Sequence, residues 1–235
     1  MEKPKVLRQK DIRSLRKNSF ERTYWEQGLL VCGIDEAGRG PLAGPVVAAA
    51  VVLPIGTKYR LLKDSKVMTA QERELAYKWL MDHAWYGVGI CRPVIIDSCN
   101  IYQATLRAMQ RAICQLFTTV PVVPGAILVD AMPVTMRTEL YHTIPVHAFI
   151  YGESLSTSVA AASIIAKVIR DRIMTHMDAV VPGYDFTQHK GYSTPDHCHK
   201  VRSCGATIIH RVHFVETIML STGVLDDRTD QSALW

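Results

Sequence analysis

Two adjacent carboxylates, Asp35 and Glu36, stand out among the 235 residues of this chain as side chains that could do chemistry. They follow an apolar run at residues 29–32, and a Gly-Arg-Gly turn at 38–40 leads into a second apolar run at 46–53. The pattern predicts a β-hairpin with the two acids at the end of its first strand. Because neighbouring side chains of a regular strand point to opposite faces, the acids converge on one ligand only if the strand ends there.

Such a pair beside a glycine turn suits a divalent cation and a phosphate group. Carboxylate oxygens are the ligands that Mg²⁺ and Mn²⁺ prefer, and glycines let a backbone approach a ligand closely. Acids at a core-facing strand end are costly unless a cation or hydrogen bonds compensate them. The residues alone also allow an acidic hairpin turn without any chemical role.

A third acid, Asp130, ends a short apolar run at residues 126–130, which predicts a buried central strand. If this strand lies beside the first strand of the hairpin, their carboxyl ends bring Asp130 and Asp35 together. The alternative is that Asp130 is an ordinary turn residue at a strand end.

A fourth acid, Asp171, is carried by a long helix predicted at residues 156–177, in which small residues at 160–163 allow close packing on a sheet. By three- and four-residue spacing Asp171 falls on an otherwise apolar stripe, which would carry it inward. The alternative is a surface ion pair with Lys167, worth only about 0.3–0.5 kcal/mol.

Capping signals and periodicity predict the elements that must position these acids. A capping box at Thr69 and Glu72 starts one helix, and Thr194-Pro195 starts another that ends near Gly205. The predicted elements also include helices at 70–84, from Ser98 or Asn100 to Phe117 and at 156–177, and strands at 85–91, 126–130 and 146–150. Antiparallel strands followed by alternating helices and strands predict an α/β fold with a mixed sheet.

Composition narrows the class of protein. A net charge of +5, a pI near 8.9 and 48% hydrophobic residues indicate a globular, mildly basic protein that is compatible with a nucleic-acid partner. No apolar stretch reaches membrane-spanning length, and the charged start of the chain has no apolar signal core. We therefore expect a cytoplasmic protein that has no membrane partner.

The six cysteines form no Cys-x-x-Cys pair, which fits a reducing compartment. Cys32 lies in a strand pattern and Cys114 in a helix pattern, where a cysteine is usually a small buried hydrophobe. The His-Cys-His triplet at 197–199 lacks a second pair of ligands, so it does not predict a zinc site.

The string Gly-x-Asp-Glu-Ala-Gly-Arg-Gly-Pro-Leu-Ala-Gly-Pro at residues 33–45 closely resembles the signature of the ribonuclease HII family. Ala-Ala-Ser-Ile-Ile-Ala-Lys-Val-x-Arg-Asp at 161–171 resembles the helix motif of that family. His-Lys-Gly-Tyr-x-Thr at 189–194, Asp-Ser-Lys at 64–66 and His-Arg-x-x-Phe at 210–214 are also similar to family segments.

The resemblance implies an RNase H-like α/β fold, a mixed β-sheet flanked by helices, with a small C-terminal helical region. We expect four segments: an amphipathic basic helix at 1–28, a catalytic domain at 29–180, a substrate-contact helical region at 181–222 and a polar tail at 223–235. For the N-terminal helix, packing on the body is favoured over a nucleic-acid arm.

The resemblance also implies that Asp35, Glu36, Asp130 and Asp171 form a four-carboxylate metal site. Two divalent cations, Mn²⁺ or Mg²⁺, would relieve the repulsion among the acids, activate a water and stabilise the leaving oxygen. The implied reaction is endonucleolytic hydrolysis of the phosphodiester 5′ to a ribonucleotide, giving 3′-hydroxyl and 5′-phosphate ends. The chain departs from the family pattern at Ala131, where glycine is usual, and in Gly152-Glu153, where Gly-Asp is commoner, so we expect no catalytic role for Glu153.

Substrate recognition is implied at two further elements. The backbone of Gly38, Arg39 and Gly40 would test for a 2′-hydroxyl, and the ring of Tyr192 would stack on the neighbouring sugar. Lys66 would contact the backbone of the scissile strand. We assign no chemical role to the His-Arg pair at 210–211 and expect a structural one.

The implied partners are RNA–DNA hybrids and duplex DNA containing ribonucleotides, held by basic side chains on phosphates. We expect a monomer and infer no protein partner, because Gln-x-x-Leu-Trp at 231–235 lacks the paired aromatics of a clamp-binding peptide. One alternative is an enzyme acting on hybrids only, like the sister ribonuclease HIII family, against which the Gly-Arg-Gly turn argues. Another is a catalytically silent hybrid-binding module, against which the four acids argue.

Overall fold

The computed structural model describes residues 6–7, 16–130, 132, 134, 143–149 and 152–221. The predicted tail at 223–235, Ala131 and residues 1–5 and 8–15 of the predicted N-terminal helix lie outside the described residues. The strands are β1 (Val6–Leu7), β2 (Val31–Ala37), β3 (Val46–Val52), β4 (Trp85–Cys91), β5 (Ala126–Asp130) and β6 (Val146–Phe149). The helices are α1 (Ser19–Trp25), α2 (Ala70–His83), α3 (Pro93–Phe117), α4 (Gly152–Leu155), α5 (Thr157–Val180), α6 (Phe186–His189), α7 (Pro195–Cys204) and α8 (Val212–Ser221).

The described strands form one mixed sheet in the order β1-β6-β5-β2-β3-β4. The pairs β2–β3 and β3–β4 are antiparallel, whereas β2–β5, β5–β6 and β1–β6 are parallel. The predicted α/β class and RNase H-like mixed sheet are therefore confirmed. None of the described helices combines the length and apolar character needed to cross a membrane.

Strand β3 is buried on both faces because helices cover both sides of the sheet. Ala48, Ala50 and Val52 pack towards α3, while Ala49 and Val51 pack towards α2 and α5. This alternation follows from the two-residue period of a strand. It explains why the sequence of β3 is apolar throughout, as in a strand with no solvated face.

Helix α5 crosses the sheet directly over Gly33 of β2. A Cβ atom at Gly33 would lie 2.1 Å from the carbonyl carbon of Ser158, which no real contact allows. The small residues at 160–163 of α5 are all buried against the sheet, as their sequence predicts. Glycine on the strand and small residues on the helix together set the close approach that places α5 beside the ends of β2 and β5.

Most element boundaries agree with the sequence predictions. The capping box of α2 and the Thr194 cap of α7 are both formed, and β4 and β5 span the predicted residues. Asn100, at φ 66°, kinks α3, and its side-chain oxygen accepts a hydrogen bond of 3.0 Å from the Gln103 N–H. The second part of α3 is thus the helix predicted to end at Phe117, and the turn before it was not predicted.

Three sequence expectations are wrong. The first strand of the hairpin, which the sequence predicts at residues 29–35, is β2 at Val31–Ala37, and it continues past Asp35 because Asp35, Glu36 and Ala37 all pair with β3. The N-terminal helix is not continuous, since residues 6–7 form a strand on the open edge of β6 and α1 begins only at Ser19. Cys114 is exposed, because it lies on the face of α3 turned away from the sheet.

The C-terminal helices form a small second core. Phe186, Tyr184 and Val201 pack with Met174 of α5 and with Ala43 from the loop after β2. Ala43 also forms an isolated antiparallel bridge with His210. The predicted C-terminal helical region therefore packs on the loop that follows the paired acids.

Candidate active site

Three carboxylates converge at the carboxyl ends of β2 and β5. The two strands are parallel neighbours with Ile34 opposite Val129, so Asp35 and Asp130 follow side by side. Glu153 joins them from α4, and one carboxylate oxygen of each of these three acids lies within 4.8 Å of the others. The topology thus brings Asp35 and Asp130 together as the sequence predicts.

Local hydrogen bonds fix the orientation of two members, Asp130 and Glu153, of this acid cluster (Asp35, Asp130 and Glu153). The N–H of Gly152 donates to Asp130 Oδ1 at 2.8 Å. The Ser163 hydroxyl donates to Glu153 Oε1 at 2.6 Å and lies 2.7 Å from the hydroxyl of Ser65. These bonds hold the carboxylates close together despite their mutual repulsion.

Burial and crowding raise the pKa values of the acid cluster. Asp35 is only 3% exposed, and burial, followed by the charges of Glu36, Asp130 and Glu153, raises its pKa well above the usual range. Burial likewise raises the pKa of Asp130 and of Glu153. The destabilised anionic forms mark a site where a cation would be favourable.

Lys66 is the basic group nearest to these acids. Its Nζ lies 3.5 Å from both carboxylate oxygens of Glu153. Partial burial acts to lower the pKa of Lys66, but the charges of Glu153 and Asp35 outweigh it and raise the pKa. The side chain is 75% exposed, so it can also contact a ligand lying over the cluster.

Glu36 lies at the margin of the acid cluster and outside the group of three. Because β2 continues past it, its side chain leaves the strand on the other face from Asp35, yet its carboxylate comes close enough for its charge to raise the pKa of Asp35. Its Oε1 is 3.4 Å from Arg39 Nη1, and its buried Oε2 has no hydrogen-bond partner among the described residues. Burial raises the pKa of Glu36 to about 7, with Arg39 opposing the shift and Asp130 adding to it.

The structure does not bring Asp171 to the acid cluster. Asp171 lies eight residues beyond Ser163 on α5, which places it roughly 12 Å further along the helix axis. Lys167 Nζ donates to its Oδ1 at 2.8 Å, the ion pair that the sequence left open as an alternative. Asp171 also lines a groove of about 570 Å³ between α2 and α5, together with Arg73, Arg172 and Lys190.

Glu153 was missed by the sequence reasoning because a glutamate replaces the commoner aspartate. The available signal was its place after a glycine, just ahead of the long helix, at the position of the Gly-Asp pair of the family. A glutamate keeps the carboxylate and adds one methylene, so the change of residue type does not remove a ligand. Glu153 is 4% exposed and points into the cluster.

The glycine turn after β2 and the segment carrying Tyr192 are joined directly. The N–H of Leu42 donates to the carbonyl of Gly191 at 2.8 Å. Gly38 has φ 93°, and a Cβ there would lie 2.0 Å from Arg170 Nε, so only glycine fits. Tyr192 is 42% exposed, and its ring centroid lies 5.6 Å from the Arg170 guanidinium carbon. The two predicted recognition elements therefore form one surface.

The donor set fits a divalent cation with a preference for oxygen ligands. The acid cluster offers carboxylate oxygens alone, and the orphaned Oε2 of Glu36 is a buried acceptor without a protein donor among the described residues. Cations such as Mg²⁺ and Mn²⁺ take such ligands. A cation held at the ends of these neighbouring strands would suit the site to metal-dependent chemistry on a phosphate group.

Comparison with known proteins identifies the family. The family model described as ribonuclease HII matches residues 32–217. The chain is 45% identical over 196 residues to ribonuclease HII of Levilactobacillus brevis, covering 83% of this chain and 72% of that protein. It is 46% identical over 198 residues to ribonuclease HII of Leuconostoc citreum, with the same coverage of 83% and 72%. The chain belongs to the ribonuclease HII family.

A solved structure agrees with this assignment. The crystal structure of ribonuclease H2 from Pyrococcus horikoshii OT3 superimposes with a TM-score of 0.61 at 25% identity. The match covers 82% of this chain and 98% of that one. The predicted enzyme class, a metal-dependent ribonuclease of the H type, is confirmed by these relatives.

Proposed function

We propose that this protein is an endoribonuclease that hydrolyses the phosphodiester 5′ to a ribonucleotide, leaving 3′-hydroxyl and 5′-phosphate ends. Its substrates are RNA–DNA hybrids and duplex DNA that contains single ribonucleotides. The observation that carries the proposal is the convergence of Asp35, Asp130 and Glu153 within 4.8 Å, close to an exposed glycine turn and tyrosine.

We assign the metal ligands to Asp35, Asp130 and Glu153, with Glu36 joining through its unpartnered Oε2. A pair of Mg²⁺ or Mn²⁺ ions held by these residues would supply activation of the attacking water and stabilisation of the charge on the leaving oxygen. Asp171, which the family resemblance placed among the ligands, is replaced in this role by Glu153. No side chain acts as a nucleophile in this reaction.

The surrounding residues bind and orient the substrate. The glycine turn presents backbone groups of Arg39 and Gly40 to the 2′-hydroxyl, the group that separates RNA from DNA. The Tyr192 ring packs on the adjacent sugar, with Lys167 beside it to favour a phosphate. Lys66 contacts the strand that is cut and places the phosphate over the acid cluster.

Cleavage of an end-labelled DNA duplex that contains one ribonucleotide tests this function, with Mg²⁺, Mn²⁺ or EDTA in parallel. We expect a single metal-dependent cut on the 5′ side of the ribonucleotide and none in the all-DNA control. Cleavage of a long hybrid without the single-ribonucleotide cut would overturn the proposed substrate range. Absence of both reactions with every metal would overturn the proposed activity.

A further inference from the structure

Arg211 is a fully buried guanidinium whose hydrogen bonds go to backbone carbonyls of the loop after β2. Its Nη2 donates to Gly38 O at 2.5 Å and to Gly44 O at 2.9 Å. Its Nη1 donates to Arg39 O at 2.8 Å, and its Nε donates to Gly44 O at 3.0 Å. One side chain thus holds two carbonyl groups of the glycine turn and that of Gly44 in the same loop, all more than 160 residues away in sequence.

The direction of these bonds fixes the direction of two N–H groups. In a planar trans peptide the C=O and the following N–H point to opposite sides. Because the carbonyls of Gly38 and Arg39 point inward at Arg211, the N–H groups of Arg39 and Gly40 point outward. Both residues are exposed, and neither N–H is bonded to a backbone acceptor among the described residues.

The arrangement is more specific than core packing requires. Arg170 is also fully buried, and it supports the same loop through the carbonyls of Ala43 and Pro45. No carboxylate among the described residues lies within ion-pair distance of either guanidinium. Burying an unpaired charge is costly, so an apolar residue would serve better if filling space were the only need.

We propose that Arg211 is a positioning residue that aims the N–H donors of Arg39 and Gly40 at the ribonucleotide sugar, and so sets the preference for RNA over DNA. This inference rests on the proposed function and deepens it. It gives a role to the His-Arg pair at 210–211, to which the sequence assigned none. Arg211 itself does not touch the substrate.

The test compares two variants of Arg211. Arg211→Lys keeps the positive charge but loses the several N–H donors of the planar guanidinium, and Arg211→Met keeps a side chain of similar volume without a buried charge. Arg107→Lys, an exposed change on α3, is the matched control. Two quantities are measured on each full-length protein. The first is the ratio of binding affinities for a duplex with one ribonucleotide and for the all-DNA duplex, with Ca²⁺ as a probe that does not support turnover. The second is hydrogen–deuterium exchange of the peptide spanning residues 36–44.

We expect both Arg211 variants to lose most of the ribonucleotide preference, by about 30-fold, because two backbone hydrogen bonds to the sugar are weakened. Exchange at 36–44 should quicken while peptides of α2 and α3 keep the wild-type rate, and Arg107→Lys should match wild type. Unchanged exchange at 36–44, or an unchanged preference in a folded variant, would overturn the positioning role. A wild-type protein without ribonucleotide preference would instead overturn the proposed function, and the exchange data would still decide whether Arg211 holds the loop.

Discussion

Glu153 carries its carboxylate one methylene further from the backbone than an aspartate at the same position would. The longer side chain is accommodated because Glu153 extends from α4. The hydroxyl of Ser163 donates a hydrogen bond of 2.6 Å to its Oε1 and fixes that oxygen. Its oxygen therefore reaches the group formed by Asp35 and Asp130. At the residue scale, the position of a carboxylate oxygen matters more than the type of acid that supplies it.

Paired variants at Glu153 and Asp171 separate the two candidates for the remaining ligand. Glu153→Gln should lower kcat/KM by at least about 100-fold, since loss of groups that merely support metal ligands costs 10–100-fold. Asp171→Asn should change it by only about twofold, because it removes a surface pair worth a few tenths of a kcal/mol. Steady-state cleavage of a hybrid in Mn²⁺ measures both. The assignment fails if Asp171→Asn abolishes turnover and Glu153→Gln retains it.

At the scale of elements, the contact between α5 and β2 determines the site geometry. Ser163 on α5 bonds Glu153, and Gly33 on β2 sets the distance between helix and strand. Gly33→Ala should therefore lower the free energy of unfolding by about 1–3 kcal/mol through overpacking. Urea denaturation measures the change.

Gly40→Ala provides the matched control, because a Cβ there meets nothing within 4 Å. Its free energy of unfolding should stay within about 0.5 kcal/mol of the wild type. Equal effects of the two substitutions would contradict the close-approach argument.

Two hydrogen-bonded neutral histidines, His197 on α7 and His210 just before α8, form what we call the histidine chain. The N–H of Thr207 donates to His210 Nδ1 at 3.0 Å, so the proton of His210 lies on Nε2. That nitrogen is 3.0 Å from His197 Nε2, and His197 Nδ1 is 2.8 Å from the carbonyl of Tyr192. Hydrogen-bond partners thus assign a neutral tautomer to each ring, and the chain fixes the backbone of Tyr192.

This histidine chain predicts a loss of stability in acid. Burial, with the charges of His197 and His189 adding to it, lowers the pKa of His210 to about 4, below the ordinary histidine value of about 6.5. The unfolded chain therefore takes up the proton first, and stability falls as pH drops from about 6.5 towards 4. At about pH 5 this one group should cost about 2 kcal/mol relative to pH 7.

Urea unfolding of wild type and His210→Gln at both pH values measures that difference. The pH dependence of His210→Gln should be weaker by about 2 kcal/mol. His199→Gln, an exposed change on the same helix α7, should keep the wild-type dependence. A wild-type dependence retained in His210→Gln would exclude the histidine chain as its source.

At the scale of the whole molecule, the net charge of +5 does not show which surface binds nucleic acid. The positions of the cationic side chains decide that. Lys66 Nζ lies 3.5 Å from a carboxylate oxygen of Glu153, and Lys167 Nζ lies 5.7 Å from the centre of the Tyr192 ring. The surface around the acid cluster thus combines anionic ligands for a metal with cations for phosphates.

Salt dependence of duplex binding tests this distribution. The logarithm of affinity should fall linearly with the logarithm of salt concentration, and Lys66→Gln should reduce the slope by about 1. Lys78→Gln, an exposed substitution on α2, should leave the slope unchanged. Affinities measured by fluorescence anisotropy between about 50 and 200 mM salt give the slopes, and equal slopes for Lys66→Gln and wild type would refute the phosphate contact.

Local patterns of the sequence predicted much of the fold. The capping box at Thr69, the Thr194-Pro195 helix start and the apolar run ending in Asp130 each depend on neighbours within a few residues. The interactions that start or end these elements therefore lie within a short stretch of sequence, and the elements form as predicted. The strand at 6–7 depends instead on its pairing with β6, which lies far away in the chain.

The sequence by itself determined the α/β class, the meeting of Asp35 with Asp130 and the likeness to ribonuclease HII. Those conclusions require only strand order, side-chain period and a matching string of residues. Tertiary structure decided that Glu153 rather than Asp171 completes the acid cluster, and that Arg211 holds the glycine turn. Both depend on distances between segments far apart in the chain, which are set by how closely α5 and α8 pack on the sheet and its loops.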